Sequence, residues 1–395
     1  MAFTAVKTGP QSSYNALAAN QMPDIDKFLY LIEPYQSEMF NKLYFSQKSK
    51  QEKVINQNGK FSVMEDEYVP HMTTLTNITG GATSEDNITV TDATWIQADD
   101  ILLVEATEEL VRVDSIASSQ VDITSLDGGN ITAATTGYIR KVGSYVHEYS
   151  GIRTFVHTQE IEYYNYLTIF SESVASTGRQ QAGETYTNGK SHKDQVKKKV
   201  TEMKVMFERN FKFSTEKGTG TATGSDSNTY RVTWGEGFLG RVSTNRDAYT
   251  TLDEAAFDAY FGLVFGKGSR TKDHYAGTNQ ALAINKIVKD KYAIDPKPIT
   301  TTYGVDLSQY RLPMGTMNLH YDQQMDGKFT DFGFTVDWGV IKMRYMANDE
   351  KGSRKFRIEE DVETPGTDGK VTKILADLGM QIPNEELHGI LEKSV

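Results

Sequence analysis

Ser191-His-Lys-Asp-Gln-Val196-Lys-Lys-Lys-Val200-Thr-Glu-Met203-Lys-Val-Met-Phe207-Glu-Arg-Asn-Phe211-Lys212 is the stretch around which the rest of the chain is read. Val196, Val200, Met203, Phe207 and Phe211 return at steps of four, three, four and four, the period of an amphipathic helix. Asn188-Gly189 marks a turn ahead of it, and Ser191 followed three residues later by Asp194 is a helix-start signature. About twenty residues at ~1.5 Å each make a rod of roughly 30 Å. Its other faces carry Lys193, Lys197, Lys198, Lys199, Lys204, Arg209 and Lys212 against Asp194, Glu202 and Glu208. Residues 190–212 hold eight bases and three acids, a net +5.

Upstream the texture is different. Between residues 77 and 143 short runs such as Ile88-Thr89-Val90, Ile101-Leu102-Leu103-Val104, Leu110-Val111-Arg112-Val113, Val121-Asp122-Ile123 and Tyr138-Ile139-Arg140 recur about every ten residues. Turn signals such as Asp127-Gly128-Gly129-Asn130 separate them, which predicts a small β-sandwich or barrel. Residues 80–143 contain eleven acids and three bases, a net −8. Downstream, Gly218, Gly220 and Gly224 read as a mobile loop or hinge. Thr251 with Glu254 starts a second helix that Gly266 ends, and a third spans 279–292. Asp326-Gly327 predicts a tight hairpin, followed by one long half-buried strand through Phe332, Phe334, Val336, Trp338 and Val340. The fold class is therefore α+β.

The whole chain has 395 residues, 42 Lys+Arg against 53 Asp+Glu, and a net charge of −11. That length implies two or three domains. With no cysteine, disulfides, thiolate metal sites and a Cys nucleophile are excluded. No run of about 18 apolar residues is present, so no membrane-spanning segment is expected. Net acidity argues against nucleic-acid binding by the whole surface, although a local basic patch remains compatible with it. The first sixty residues, with Phe28-Leu29-Tyr30-Leu31-Ile32 between Pro23 and Pro34, are too broken to close a core and read as an extended arm with one short helix.

Motifs for chemistry are missing. Gly262-Leu-Val-Phe-Gly266-Lys267-Gly268-Ser269 resembles a phosphate loop but has one residue too few between its glycines and Gly268 where a Mg²⁺-binding hydroxyl is needed. A helix C-cap and turn is the simpler reading. The seven histidines (His71, His147, His157, His192, His274, His320 and His388) form no pair at the spacing that puts two ligands on one helical face. The acid clusters Glu65-Asp66-Glu67 and Glu359-Glu360-Asp361 lack the pattern of a calcium loop and read as solvated faces. No Gly-x-Ser-x-Gly elbow occurs. No catalytic, cofactor or metal site is predicted, and the chain is not expected to be an enzyme.

The order of parts, a polar arm, a β excursion, a long helix and a mixed region closing on strands, resembles the major capsid proteins of tailed bacteriophages with the Hong Kong 97 fold. The stretch from Thr154 to Gly178 resembles one branch of that family, with Asn165, Thr168, Ile169, Phe170, Val174, Ser176 and Thr177 in the family's places. So does Lys197 to Phe211, with Glu202, Glu208 and Arg209. Asp100-Ile-Leu-Leu-Val104 through Val113 resembles the branch's small inserted domain, and Thr330-Asp-Phe-Gly333 and Asn384 to Ile390 its closing strands.

The resemblance implies an N-terminal arm at 1–59, extended-loop arms at 60–76 and 144–178, and an inserted β domain at 77–143. A spine helix and peripheral domain at 189–250, an axial domain near 251–345, and closing strands with the C-terminus at 346–395 complete it. It implies pentamers and hexamers of an icosahedral virion assembled in the host cytoplasm and enclosing double-stranded DNA. Partners would be other copies of the chain, portal and scaffolding proteins, and decoration or head-fibre proteins, with no membrane and no cofactor. Tyr68 and Arg153 are then candidate subunit contacts, and Lys193, Lys197, Lys198, Lys204 and Arg209 candidate lumen-facing groups near DNA. No Lys–Asn pair for a self-crosslink is assigned. Two rival readings stand beside it: a carbohydrate-binding β protein using Trp95 as a sugar platform, and another phage structural protein such as a tail-tube subunit.

Overall fold

The helix that the period of four and three predicts spans His192–Phe213, and the Ser191 side chain accepts from the Asp194 amide at its start. Met203, Phe207 and Phe211 are buried, with Val196 and Val200 partly buried against the same core. The computed structural model describes residues 37–46, 50–78, 85–146, 148, 151–183, 191–291 and 309–394. The arm expected before residue 37, the Asn188-Gly189 turn and the end of the third helix at Tyr292 lie outside the described residues. The chain falls into two compact units, one of residues 1–63 and 163–395, the other Met64–Glu162.

In the first unit the long helix packs on a sheet ordered Gln51–Val54, Lys342–Met346, Gly369–Gln381, Thr168–Thr177, with Arg357–Glu359 also pairing to Gly369–Gln381. His192 bridges Ser176 and Thr372 at 2.8 Å each, tying the start of the helix to two neighbouring strands. A second, six-stranded mixed sheet runs Arg246–Tyr249, Gly389–Lys393, Gly333–Val336, Thr271–Ala276, Gly315–Tyr321, Gln309–Leu312. Helices Glu254–Val264 and Thr278–Lys291 contribute Phe257, Tyr260, Phe261, Val264 and Ile284 to a core that includes Met317 and Leu391 from this sheet. The short helix expected in the first sixty residues is Glu38–Asn41, whose Met39 and Phe40 enter the main core.

The second unit holds a closed antiparallel barrel of six strands: Met72–Ile78, Glu85–Val90, Gln120–Ser125, Glu109–Ala117, Asp100–Val104 and Gly137–Ser144. Burial alternates along Gln120–Ser125, where Val121 and Ile123 are buried, whereas Asp100–Val104 is buried along nearly its whole length. Side chains fill so small a barrel. Its core gathers Leu75, Ile88, Leu102, Val111, Val113 and Ile139 together with Trp95.

Several local expectations are corrected. Asp326-Gly327 opens a 3-10 turn, Gly327–Asp331, instead of a hairpin. The strand after it is only Gly333–Val336 and is buried along its whole length, because strands Gly389–Lys393 and Thr271–Ala276 flank it on both edges. Helix Glu254–Val264 is capped by Asp253, whose side chain accepts from the Ala256 amide, and not by Thr251. The glycines after residue 217 lie in no hinge: Gly218–Thr223 and Thr229–Trp234 form a two-stranded antiparallel hairpin. The Trp234 ring covers Gly218 and Gly220, where a Cβ would stand 2.7 and 3.2 Å from the ring.

Candidate assembly surfaces

The glycine-rich segment after Val264 is built around a cation. Lys272 Nζ donates to the carbonyls of Val264 (2.8 Å), Lys267 (2.9 Å) and Leu387 (2.7 Å). Asp337 accepts from the Ser269 amide at 2.9 Å beside it. Burial pulls the Lys272 pKa down to about 8. Carbonyls at a helix C-terminus carry the negative end of its dipole, so this loop has the polarity opposite to a phosphate cradle.

The buried histidines are structural. Tyr260 OH lies 2.6 Å from Thr335 Oγ1, which lies 2.8 Å from His274 Nδ1; His274 Nε2 lies 3.0 Å from Gln280 Oε1, and Gln280 Nε2 donates to the Leu391 carbonyl at 3.1 Å. The directions close in one way. Gln280 presents its oxygen, so His274 Nε2 donates and Nδ1 accepts from Thr335, whose oxygen accepts from Tyr260. Burial pushes His274 down to about 4 and His388 down to about 3. Neither ring is exposed. Among the described residues no group of three or more His, Asp or Glu is arranged to hold a metal ion. Trp95 is 2% exposed inside the barrel, which removes the sugar platform.

The outward-facing apolar groups are concentrated in the second unit. Tyr68 is 99% exposed, and Ile152 and Phe155 are also exposed. Residues 151–160 belong to no helix or strand, yet they are held down. Arg153 donates to Asp100 (2.6 Å) and to the Ala98 carbonyl (2.7 Å), and Lys141 pairs with the other oxygen of the fully buried Asp100 at 2.6 Å. Val156 packs on the barrel core. Arg153 and Val156 thus fasten the segment while Ile152 and Phe155, their neighbours, are exposed. The sequence reading singled out Tyr68 and Arg153 but missed Ile152 and Phe155. Apolar residues in a stretch with neither period are the only signal it carried.

The basic helix splits into two kinds of charge. Lys193 and Arg209 are exposed and Lys204 is half-buried. Lys197 stands 3.9 Å from Asp194 and Lys198 3.8 Å from Glu202, both on its own surface. Lys199 reaches Glu202 at 3.0 Å and Glu172 of strand Thr168–Thr177 at 3.3 Å. Lys212, which the sequence places on the helix faces away from the apolar stripe, is fully buried with Glu208 and Asp322. Desolvation raises the Glu208 pKa against the pull of Lys212.

Comparison with known proteins agrees with this architecture. The capsid of a native GTA particle matches over 96% of this chain and 97% of its own, with 9% identity and a TM-score of 0.50. The capsid of the empty GTA particle matches over 97% and 98%, with 10% identity and the same TM-score. At such identities the likeness concerns the fold, a mixed helix-and-strand capsid fold of the Hong Kong 97 kind. No curated protein matches the chain. The model of the SU10 major capsid protein family matches residues 6–394, and the chain therefore belongs to the SU10 major capsid protein family.

Proposed function

We propose that this major capsid protein, a component of the virion, closes into an icosahedral shell of pentamers and hexamers around double-stranded DNA. The observation that carries the proposal is the pair of segments flanking the barrel, which display Tyr68, Ile152 and Phe155 with their faces uncovered by their own chain. Large apolar side chains left this exposed suit contacts with another subunit. Each such contact can be weak, because closed symmetry repeats it over every subunit.

In this reading the arm of 1–59 is anchored on its own unit through residues 38–43 and strand Gln51–Val54. Residues 60–76 and 144–178 form the extended loop apart from strands Met72–Ile78 and Thr168–Thr177, which pair in the barrel and in the first sheet, and 77–143 carries the rest of an inserted domain. The spine and peripheral region takes 189–250, the axial domain 251–345, and the closing strands 346–395. The −8 of residues 80–143 suits an outer position away from DNA. The exposed cations of the long helix, Lys193 and Arg209 with Lys197 and Lys198, suit the lumen, where phosphate attraction needs no base contacts. Portal, scaffolding and decoration or head-fibre proteins are the further partners of such a shell.

Negative-stain microscopy of the expressed protein, alone and with a scaffolding partner, tests the shell: closed particles or capsomer rings are expected. A monomer that persists under all these conditions overturns it. A cryo-EM map with residues 80–143 on the inner surface overturns the assigned orientation.

A further inference from the structure

Residues 37–46 are fastened to their unit by the Phe40 amide, which donates to Glu208 of the long helix at 3.2 Å, and by two sets of side-chain contacts. The first is apolar: Met39, Phe40 and Leu43 are buried, and the Phe40 ring lies 5.2 Å from that of Phe207. The second is ionic. Glu38 and Lys42, one helical turn apart, reach the parallel strands Thr271–Ala276 and Gly315–Tyr321. Glu38 Oε1 stands 2.8 Å from His320 Nδ1. Lys42 pairs with Asp273, which lies 3.8 Å from His320 Nε2 and accepts from Asn318 at 2.7 Å. Strand register sets Tyr275 opposite His320, and their rings stack at 5.0 Å and 18°, which fixes the imidazole plane.

A neutral imidazole has one N–H, whereas here each ring nitrogen has a carboxylate near it. Only the imidazolium presents a proton to both. We propose that residues 37–46 form a protonation-controlled clip, in which charged His320, held between Glu38 and Asp273, tightens the docking of this segment and neutral His320 loosens it.

The charged and titratable groups around the site are consistent with that sense. From the segment come Glu38 and Lys42, and from Thr271–Ala276 come Asp273, Tyr275 and the buried His274, which is neutral. Beyond them, Lys212 of the long helix pairs with Glu208 and with Asp322 after Gly315–Tyr321, and Glu208 also accepts from the Phe40 amide of the segment. Lys42 opposes a charge on His320 but is itself engaged by Asp273. The bond to Glu38 raises His320 above its ordinary value, and the same bond lowers Glu38. Because the folded-state value is raised, the contribution is complete below the ordinary imidazole value of about 6.5 and is lost as pH rises through the raised one. The buried Met39, Phe40 and Leu43 do not titrate, so the segment loosens without leaving. What the clip controls is how firmly residues 37–46 are held. It rests on the geometry of one subunit, so its failure would leave the shell reading untouched.

Hydrogen exchange on the purified, unassembled full-length subunit tests it. After correction for the intrinsic pH dependence of exchange, the amides of residues 41–43 should be roughly three- to tenfold more protected at pH 6 than at pH 9, the size expected of one half-exposed ion pair. Both H320Q and E38Q should abolish that difference. Protection independent of pH in the wild-type chain, or a wild-type profile in either variant, overturns the clip.

Discussion

Lys212 and Asp322, 110 residues apart in sequence, form an ion pair from which solvent is excluded, with Glu208 on the other side of the ammonium at 2.5 Å. Glu208 in turn accepts from the Phe40 amide at 3.2 Å. One cation therefore joins the long helix, the turn after strand Gly315–Tyr321 and the docked helix Glu38–Asn41. A buried pair of this kind adds little net stability over an apolar substitute, but its partners are costly to strand.

K212M should accordingly destabilise the subunit by about 3–5 kcal/mol, since it leaves two carboxylates buried without a cation. Thermal or urea unfolding of the two proteins measures it. A loss below about 0.5 kcal/mol, the scatter of ordinary surface changes, would show that the cluster is hydrated.

Acid should weaken the subunit before its carboxylates are protonated. His274 is held neutral with a value of about 4, while the unfolded chain binds the proton near 6.5. The unfolded state therefore takes up more protons in that window, and stability falls as pH drops from about 6.5 toward 4. For His274 alone the loss at pH 5 is about 2 kcal/mol, and His388 acts in the same direction. Urea midpoints at pH 7.5, 6 and 5 should decrease in order; a flat series contradicts the assignment.

Gly235 should not tolerate a side chain. A Cβ there would lie 2.4 Å from the Tyr166 carbonyl, a backbone atom that cannot swing aside. Gly235→Ala should lose about 1–3 kcal/mol by overpacking, whereas Gly143→Ala, with nothing within 4 Å, serves as the neutral control on the same unfolding assay.

The barrel should fold by itself, because its strands close on one another and its core draws on residues of Met64–Glu162 alone. A fragment of residues 64–162 is expected to unfold cooperatively by circular dichroism and to give a dispersed amide spectrum. A collapsed spectrum would show that the barrel borrows stability from the rest of the chain.

I152S with F155S should leave the unfolding midpoint of the subunit within about 0.5 kcal/mol of wild type, as for exposed positions generally, and yet reduce particle yield in negative stain. Unchanged assembly would remove this segment from the contact surface.

Local order along the chain was written in the sequence wherever one period held without competition. The helix from Ser191 follows from apolar spacing, and the strands around Ile88, Ile101, Val111, Val121 and Ile139 appear where short β-branched runs lie between turn residues. In both, the pattern of one face is set by covalent order and needs no knowledge of the partner. Tertiary structure decided the rest. Phe334 and Val336 look half-buried because polar and small residues alternate with them, but two flanking strands and packing on both faces bury Thr335 as well. Gly218 and Gly220 look mobile until Trp234 lies across them. Lys212 is one more charge off the apolar stripe until Asp322 arrives from far along the chain to bury it, and nothing beside Arg153 in the sequence shows that Asp100 holds it. Charge is a property of a residue, whereas desolvation is a property of its neighbours, and those neighbours are chosen only when the chain closes.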